Sequence, residues 1–305
     1  MSLGLLFAGQ GTQHATMMPW LEACPEAAPT LALISAQLGV DWRTGLADPE
    51  WSQRNAVAQP LLTGLGLAAW QSLAPRLPLP TVVAGYSVGE LAAFCAAGVF
   101  DVVQAMALAG DRAAAMDRSA DGLDTGLLSV QGLDAKSLLV ACERHGLSLA
   151  LRLAADRVVL GGLSAALVLA ERDLSAAGAR CTRLQVRVAS HTPWMSAAAV
   201  EFEARLGAVA MSSPHSILVC NHSGAPEREP GRLKHLLARQ IATTVLWDSC
   251  MDAIAERRVR CVLEVGAGNA LTNLWRERYP DIPARSVDEF RTERAIARWV
   301  NTVLR

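Results

Sequence analysis

The stretch Thr81 to Ala97 reads TVVAGYSVGELAAFCAA. Thr81 to Ala84, apolar or β-branched, predict a short buried strand, and Leu91 to Ala97 predict a helix packed on it. Between them stands Gly85-Tyr-Ser-Val-Gly89. A G-x-S-x-G between strand and helix is a nucleophile elbow, in which two glycines permit a turn too tight for side chains and Ser87 projects into a cleft. The amide of Val88 then stands at a helix N-terminus, where it can donate to a developing oxyanion. The plainer reading is a glycine-bounded turn with an ordinary serine. The choice between them depends on whether the rest of the chain supplies a base, a second oxyanion donor and a substrate grip.

The chain has 305 residues, half of them hydrophobic (51%), and a net charge of −1. That length can bury a full core, and the balanced charge points away from nucleic-acid binders and disordered chains. The seven cysteines are scattered singly with no C-x-x-C pair, which suits a reducing compartment better than a disulfide framework or a zinc site. No charged region precedes the apolar Leu3 to Phe7, and no run is apolar for long enough to span a bilayer. The expectation is a cytoplasmic protein without a metal, away from membranes. Asn221-His222-Ser223 matches a glycosylation acceptor, a chance match in the absence of a secretion signal.

Leu3 to Phe7 predicts a first strand opening into Ala8-Gly-Gln-Gly-Thr-Gln13. Neither a phosphate loop nor a dinucleotide fingerprint fits, since no Lys-Ser/Thr follows and position 14 is His. A tight loop remains, placing Gln10 at the mouth of a site. Residues 15–75 read as mostly helical, with Gln59-Pro60 opening an apolar helix over Leu61 to Leu73. Gln59 is then either a helix-entry residue or one that faces the cleft. Arg112 lies in a helix predicted over Val102 to Met116, among small and apolar neighbours. A helical arginine is usually solvated; turned inward, its fork would fit a carboxylate bidentately.

From Thr125 to Val188 the order reads strand, helix, strand, strand, helix, strand, with turns at Gly132, Gly146, Gly161-Gly162 and Gly178. This is the β-α-β-β-α-β order of a ferredoxin-like unit, its last strand predicted over Arg180 to Val188. The fold class is therefore α/β, a hydrolase-like core with a mostly parallel sheet and an inserted ferredoxin-like α+β subdomain. The expected division is 1–124 and 189–305 for the large domain, 125–188 for the small one. Residues 125–187 carry eight basic against five acidic side chains, a modest positive wall that would favour an acidic partner. His191, in Ser190-His-Thr-Pro-Trp-Met195, stands at a strand-to-helix corner from which a base can reach Ser87. The other histidines read as surface residues.

Ser87, His191, the Val88 amide and Gln10 together form a parts list for acyl transfer through an acyl-serine. No acid stands out as a third member, and a backbone carbonyl near Thr243 would serve to orient the imidazole. If Arg112 faces the same cleft, the acyl group carries a free carboxylate.

Six strings, in order, resemble motifs of the malonyl-CoA:acyl carrier protein transacylases: FAGQGTQ (7–13), AQP (58–60), GYSVGELAA (85–93), Arg112-x-x-x-Met116, VASHTPWM (188–195) and EVGAGNALTNL (264–274). The resemblance spans almost the whole chain. It implies that Ser87 is acylated, His191 is its base, Gln10 and Val88 N–H form the oxyanion hole, Gln59 lines the cleft and Arg112 pairs with the malonyl carboxylate. It also implies malonyl-CoA as the coenzyme A thioester substrate, no bound cofactor, and the prosthetic thiol of an acidic acyl carrier protein as acceptor. The sequence departs from the family at Ala8 and Ala267, where Pro is usual, at Tyr86, where His is usual, and at Thr243-Thr244, where Asn-Pro is usual. Tyr86 and QIATTVLW (240–247) look more like the epsilon subunit of malonate decarboxylase, which would make other subunits of that complex partners and its carrier the acceptor. The alternatives are a fatty-acid or polyketide transacylase, a serine esterase or thioesterase, and a non-catalytic carrier-docking protein.

Overall fold

Leu3–Phe7, Val82–Gly85 and Cys261–Val265 are short, nearly continuous apolar runs, the pattern of parallel strands covered on both faces. The computed structural model describes residues 2–305 and places all three at the centre of one sheet. Its strands, in chain order, are β1 (Leu3–Phe7), β2 (Val82–Gly85), β3 (Thr125–Gln131), β4 (Ser148–Ala154), β5 (Arg157–Leu163), β6 (Arg180–Arg183), β7 (Ile217–Cys220), β8 (Ala225–Glu227), β9 (Val245–Leu246), β10 (Cys261–Val265) and β11 (Ala284–Ser286). The larger sheet runs β11-β10-β1-β2-β7-β8 and is parallel except for the edge strand β8. Along β1, Leu3, Leu5 and Phe7 enter one core while Leu6 enters the other. No helix of the described residues is long and apolar enough to cross a membrane.

Register sets the site. Phe7 lies opposite both Gly85 and Val265, and Ala84 lies opposite Val219. Because the strands are parallel, their C-terminal ends emerge on one edge, where open α/β sheets bind ligands. The loop with Gln10, the elbow with Ser87 and the turn with Asn221 therefore leave the sheet side by side.

The smaller sheet has the order β6-β3-β5-β4-β9. Its first four strands are antiparallel, with β3 and β5 central, as the β-α-β-β-α-β order requires. The fifth, β9, was not foreseen. It comes from the chain after residue 188 and pairs parallel to β4 through Leu151–Val245 and Arg152–Leu246. The predicted last strand is also shorter, ending at Arg183, and Leu184 to Val186 instead line a cleft between the two sheets.

Two helix boundaries moved with consequences. The helix predicted from Leu61 begins at Asn55 and runs Asn55–Leu73, so Pro60 lies inside it. A proline so near the N-terminus removes one bond of the ladder, and the extra turn places Gln59 on a buried helical face. The stretch Leu233 to Ile241 reads in the sequence as another helix; the helix is Pro230–Arg239, which frees the carbonyls of the next residues for other partners.

The elbow glycines are required by close approach. A Cβ on Gly89 would stand 2.5 Å from the Phe7 carbonyl oxygen, and one on Gly85 2.1 Å from the Gly89 backbone. Gly89→Ala must push the elbow away from β1. Overpacking of this kind costs about 1–3 kcal/mol, and urea unfolding should show that loss; an unchanged midpoint would contradict the contact.

Candidate active site

Ser87 has a φ of 55°, a left-handed backbone that a non-glycine residue rarely adopts. The turn is held on both sides. Tyr86 N–H donates to the Phe7 carbonyl at 2.9 Å, and Ser87 N–H donates to Asn221 Oδ1 at 2.8 Å. The next amide, that of Val88, has no partner among the described residues and precedes the helix Gly89–Ala96. It is the free donor nearest the hydroxyl in sequence.

His191 is buried and also has positive φ, 62°. Its backbone N–H donates to the Ile241 carbonyl at 2.8 Å and its Nδ1–H to the Gln240 carbonyl at 2.5 Å. That fixes the tautomer by its network, leaving Nε2 to accept the Ser87 hydroxyl at 2.8 Å. The acceptor placed near Thr243 is therefore corrected: it is the Gln240 carbonyl, released where the helix stops at Arg239. Thr243 turns elsewhere, donating to the Arg239 carbonyl and meeting the His222 ring. Burial, reinforced by the Arg112 charge and only partly opposed by the Gln240 hydrogen bond, brings the His191 pKa down to about 3. The imidazole is thus neutral and able to take a proton.

Arg112 points inward and is 1% exposed. It makes no ion pair among the described residues; instead Nη1 donates to Gln59 Oε1 at 2.7 Å, and Nη2 reaches Gln240 Oε1 and Ser87 Oγ, each at 3.4 Å. Its Nε has no partner among the described residues. Gln59 does not line the cavity at the serine; wholly buried, it holds the guanidinium and donates to Met116 Sδ. Its place is behind Arg112, a correction to the expected cleft position that follows from the earlier helix start.

Ser87, His191, Arg112 and Gln10 share a cavity of about 60 Å³. Gln10 and Tyr86 also face an adjoining cavity of about 560 Å³, formed between the Gly-rich loop and the inner face of the smaller sheet. Gln10 Nε2 makes a long bond, 3.4 Å, to the Gln53 carbonyl; its side chain has to leave that partner to serve an oxyanion.

Sequence reasoning missed three buried polar residues here. Gln240 supplies both the carbonyl for His191 and a side-chain acceptor for Arg112. Glu90 is 1% exposed, and burial raises its pKa to about 8 against the pull of the Asn221 N–H and Arg112. Asn221 was seen only as a glycosylation match. A charged residue inside the elbow string and an asparagine just beyond a buried strand were the available signals.

Residues 5–300 match the family model described as acyl transferase domain. The chain is 35% identical over 291 residues to the malonyl CoA-acyl carrier protein transacylase of Mycobacterium tuberculosis, covering 93% of this chain and 96% of that one. The crystal structure of the malonyl transacylase from the same organism superposes with a TM-score of 0.87 at 32% identity, over 95% of this chain and 99% of that one. A malonyl-transacylase solved in complex with a type II polyketide acyl-carrier protein gives 0.91 at 28% identity, over 98% and 99%.

A depressed histidine pKa keeps the base neutral to lower pH than usual. The rate of Ser87 acylation should therefore stay level as pH falls through about 6.5, the ordinary histidine value. Single-turnover labelling across that range checks it, and a half-maximal point near the ordinary value would contradict the burial argument.

Proposed function

The chain belongs to the acyl transferase domain family, and on that premise we propose that it moves a malonyl group from malonyl-CoA to the prosthetic thiol of an acyl carrier protein. The reaction has two halves. His191 Nε2 takes the proton of Ser87 as Oγ attacks the thioester carbonyl; the oxyanion is met by Val88 N–H and Gln10; the tetrahedral species collapses, and coenzyme A leaves with the proton. His191 Nε2 then takes the proton of the carrier thiol as its sulfur attacks the malonyl-serine carbonyl, and returns it to Ser87 Oγ as the ester bond breaks. Each oxyanion donor is worth about 3 kcal/mol of barrier.

One observation carries the substrate assignment. Arg112 is a buried cation held by two neutral glutamine oxygens, 3.4 Å from the Ser87 oxygen, with no carboxylate among the described residues paired to it. An unpaired buried charge is costly, and the carboxylate of a short diacid compensates it. A cavity of about 60 Å³ suits a short acyl tail. An esterase has no use for that cation, and the seat of His191 on a carbonyl departs from the acid of the hydrolase triad.

The carrier-protein names of the relatives favour fatty-acid or polyketide supply over malonate decarboxylase, whose resemblance rests on Tyr86 and residues 240–247. Tyr86 packs edge-on against Trp247 at 5.2 Å, so these two departures form one contact. An acidic carrier suits the basic excess of residues 125–187. Offering malonyl-enzyme to a fatty-acid carrier, a polyketide carrier and a malonate decarboxylase carrier separates the readings by rate.

Ser87→Ala should abolish covalent labelling by malonyl-CoA in a mass spectrum; persistent labelling would remove Ser87 as nucleophile. Arg112→Ala should lower malonyl transfer about a hundredfold, some 3 kcal/mol, while acetyl transfer falls far less. Equal losses for the two acyl groups would contradict the role of Arg112.

A further inference from the structure

Asn221 is wholly buried at the end of β7, and every polar group it has is engaged. Its Oδ1 accepts from Ser87 N–H at 2.8 Å, and its Nδ2 donates to the Gly85 carbonyl at 2.6 Å. Its backbone N–H donates to Glu90 Oε1 at 2.7 Å, and its carbonyl accepts from Leu246 N–H at 2.9 Å. One planar carboxamide thus spans the two sides of the Ser87 turn, while the main chain ties it to the elbow helix. Burial and full engagement also remove this position as a glycosylation acceptor in the folded chain.

We propose that Asn221 is the positioning residue of the nucleophile, its carboxamide cross-bracing Gly85 and Ser87 so that the strained elbow holds Oγ on the histidine and the Val88 amide stays free for the oxyanion. A left-handed non-glycine residue is strained and persists only where its surroundings over-determine it. The carboxamide is such a surrounding. Because it occupies the Ser87 amide, the next N–H along, that of Val88, is the elbow amide without a partner. A merely structural asparagine would stabilise the strand end without governing how fast Ser87 reacts. The role assigned here rests on the acyl-serine reading, so its test needs a probe of the serine that does not use Arg112.

That probe is phenylmethylsulfonyl fluoride, with malonyl-CoA run in parallel on the full chain. In Asn221→Ala both labelling rates should fall about a hundredfold, the scale expected for a small misplacement of reacting groups. The KM for malonyl-CoA should stay within about threefold, since Arg112 and Gln59 are untouched. Asn221→Asp keeps the shape of the side chain and secures the test against a misfolded alanine variant. Ionised, it sets an oxygen against the Gly85 carbonyl; protonated, its O–H restores the donor. Its labelling rate relative to the parent chain should therefore rise as pH is lowered. Sulfonyl fluoride labelling undiminished in both variants, or a loss confined to malonyl-CoA, would overturn the brace. A parent chain silent to malonyl-CoA whose sulfonyl fluoride labelling still collapses in both variants would remove the substrate reading and leave the brace standing.

Discussion

The contact on which the rest depends is the approach of the elbow to the C-terminal end of β1. A methyl group at Gly89 would lie 2.5 Å from the Phe7 carbonyl oxygen, so the helix Gly89–Ala96 can start only where residue 89 has no side chain. Tyr86 N–H reaches the same carbonyl. One oxygen therefore fixes both the end of β2 and the start of the helix, and the residue between them is forced through a left-handed turn. The same parallel register brings the Gly-rich loop after β1 and Asn221 after β7 alongside. The geometry around Ser87 is in this sense a property of the sheet edge, with side chains acting on a turn the backbone has already set.

Electrostatics follows from burial. A guanidinium out of water costs several kcal/mol unless its donors are met, and here they are met mostly by amide oxygens, which leave the positive charge uncancelled. Three effects flow from that one charge. It pulls the pKa of Glu90 down from where burial alone would hold it, it helps keep His191 neutral, and in the function proposed it receives the acyl carboxylate beside Ser87. A protein carboxylate paired to Arg112 would have removed the last of these. The glutamines are the residues that satisfy the cation without neutralising it.

Most of the fold was legible because its signals are local. Apolar strand runs, glycine punctuation and the change of pattern at Thr125 each fall within a few residues, and β1 matches its predicted bounds. Ser87, His191 and Arg112 were legible as residue types in motifs. What escaped depends on contacts between distant segments. Nothing in the sequence near Gln240 tells that the helix before it stops at Arg239 and leaves the Gln240 carbonyl turned toward His191, so the sequence points to an acceptor near Thr243. The resemblance puts Gln59 in the cleft and the Gln59-Pro60 pair reads as a helix entry, whereas tertiary burial carries the helix back to Asn55. The role of Asn221 is visible only once β7 lies beside β2. Strand β9 is two residues long, too short for any periodicity to show.

That short strand gives residues 239–247 more than one task. The Gln240 carbonyl seats the imidazole and the Ile241 carbonyl the backbone N–H of His191, Thr244 Oγ1 donates to the Leu149 carbonyl, and β9 pairs with β4. Trp247 then packs on Tyr86, the residue before the serine. Strands β4 and β5 of the smaller sheet are also tied to the larger part through Arg152–Asp248 and Arg157–Glu277, while β6 at the far edge pairs with β3. A hydrogen bond to a backbone carbonyl orients an imidazole only as well as that backbone is held. Here it is held by a helix end on one side and a sheet on the other, which is why a side-chain acid is not needed to keep Nε2 turned toward Ser87.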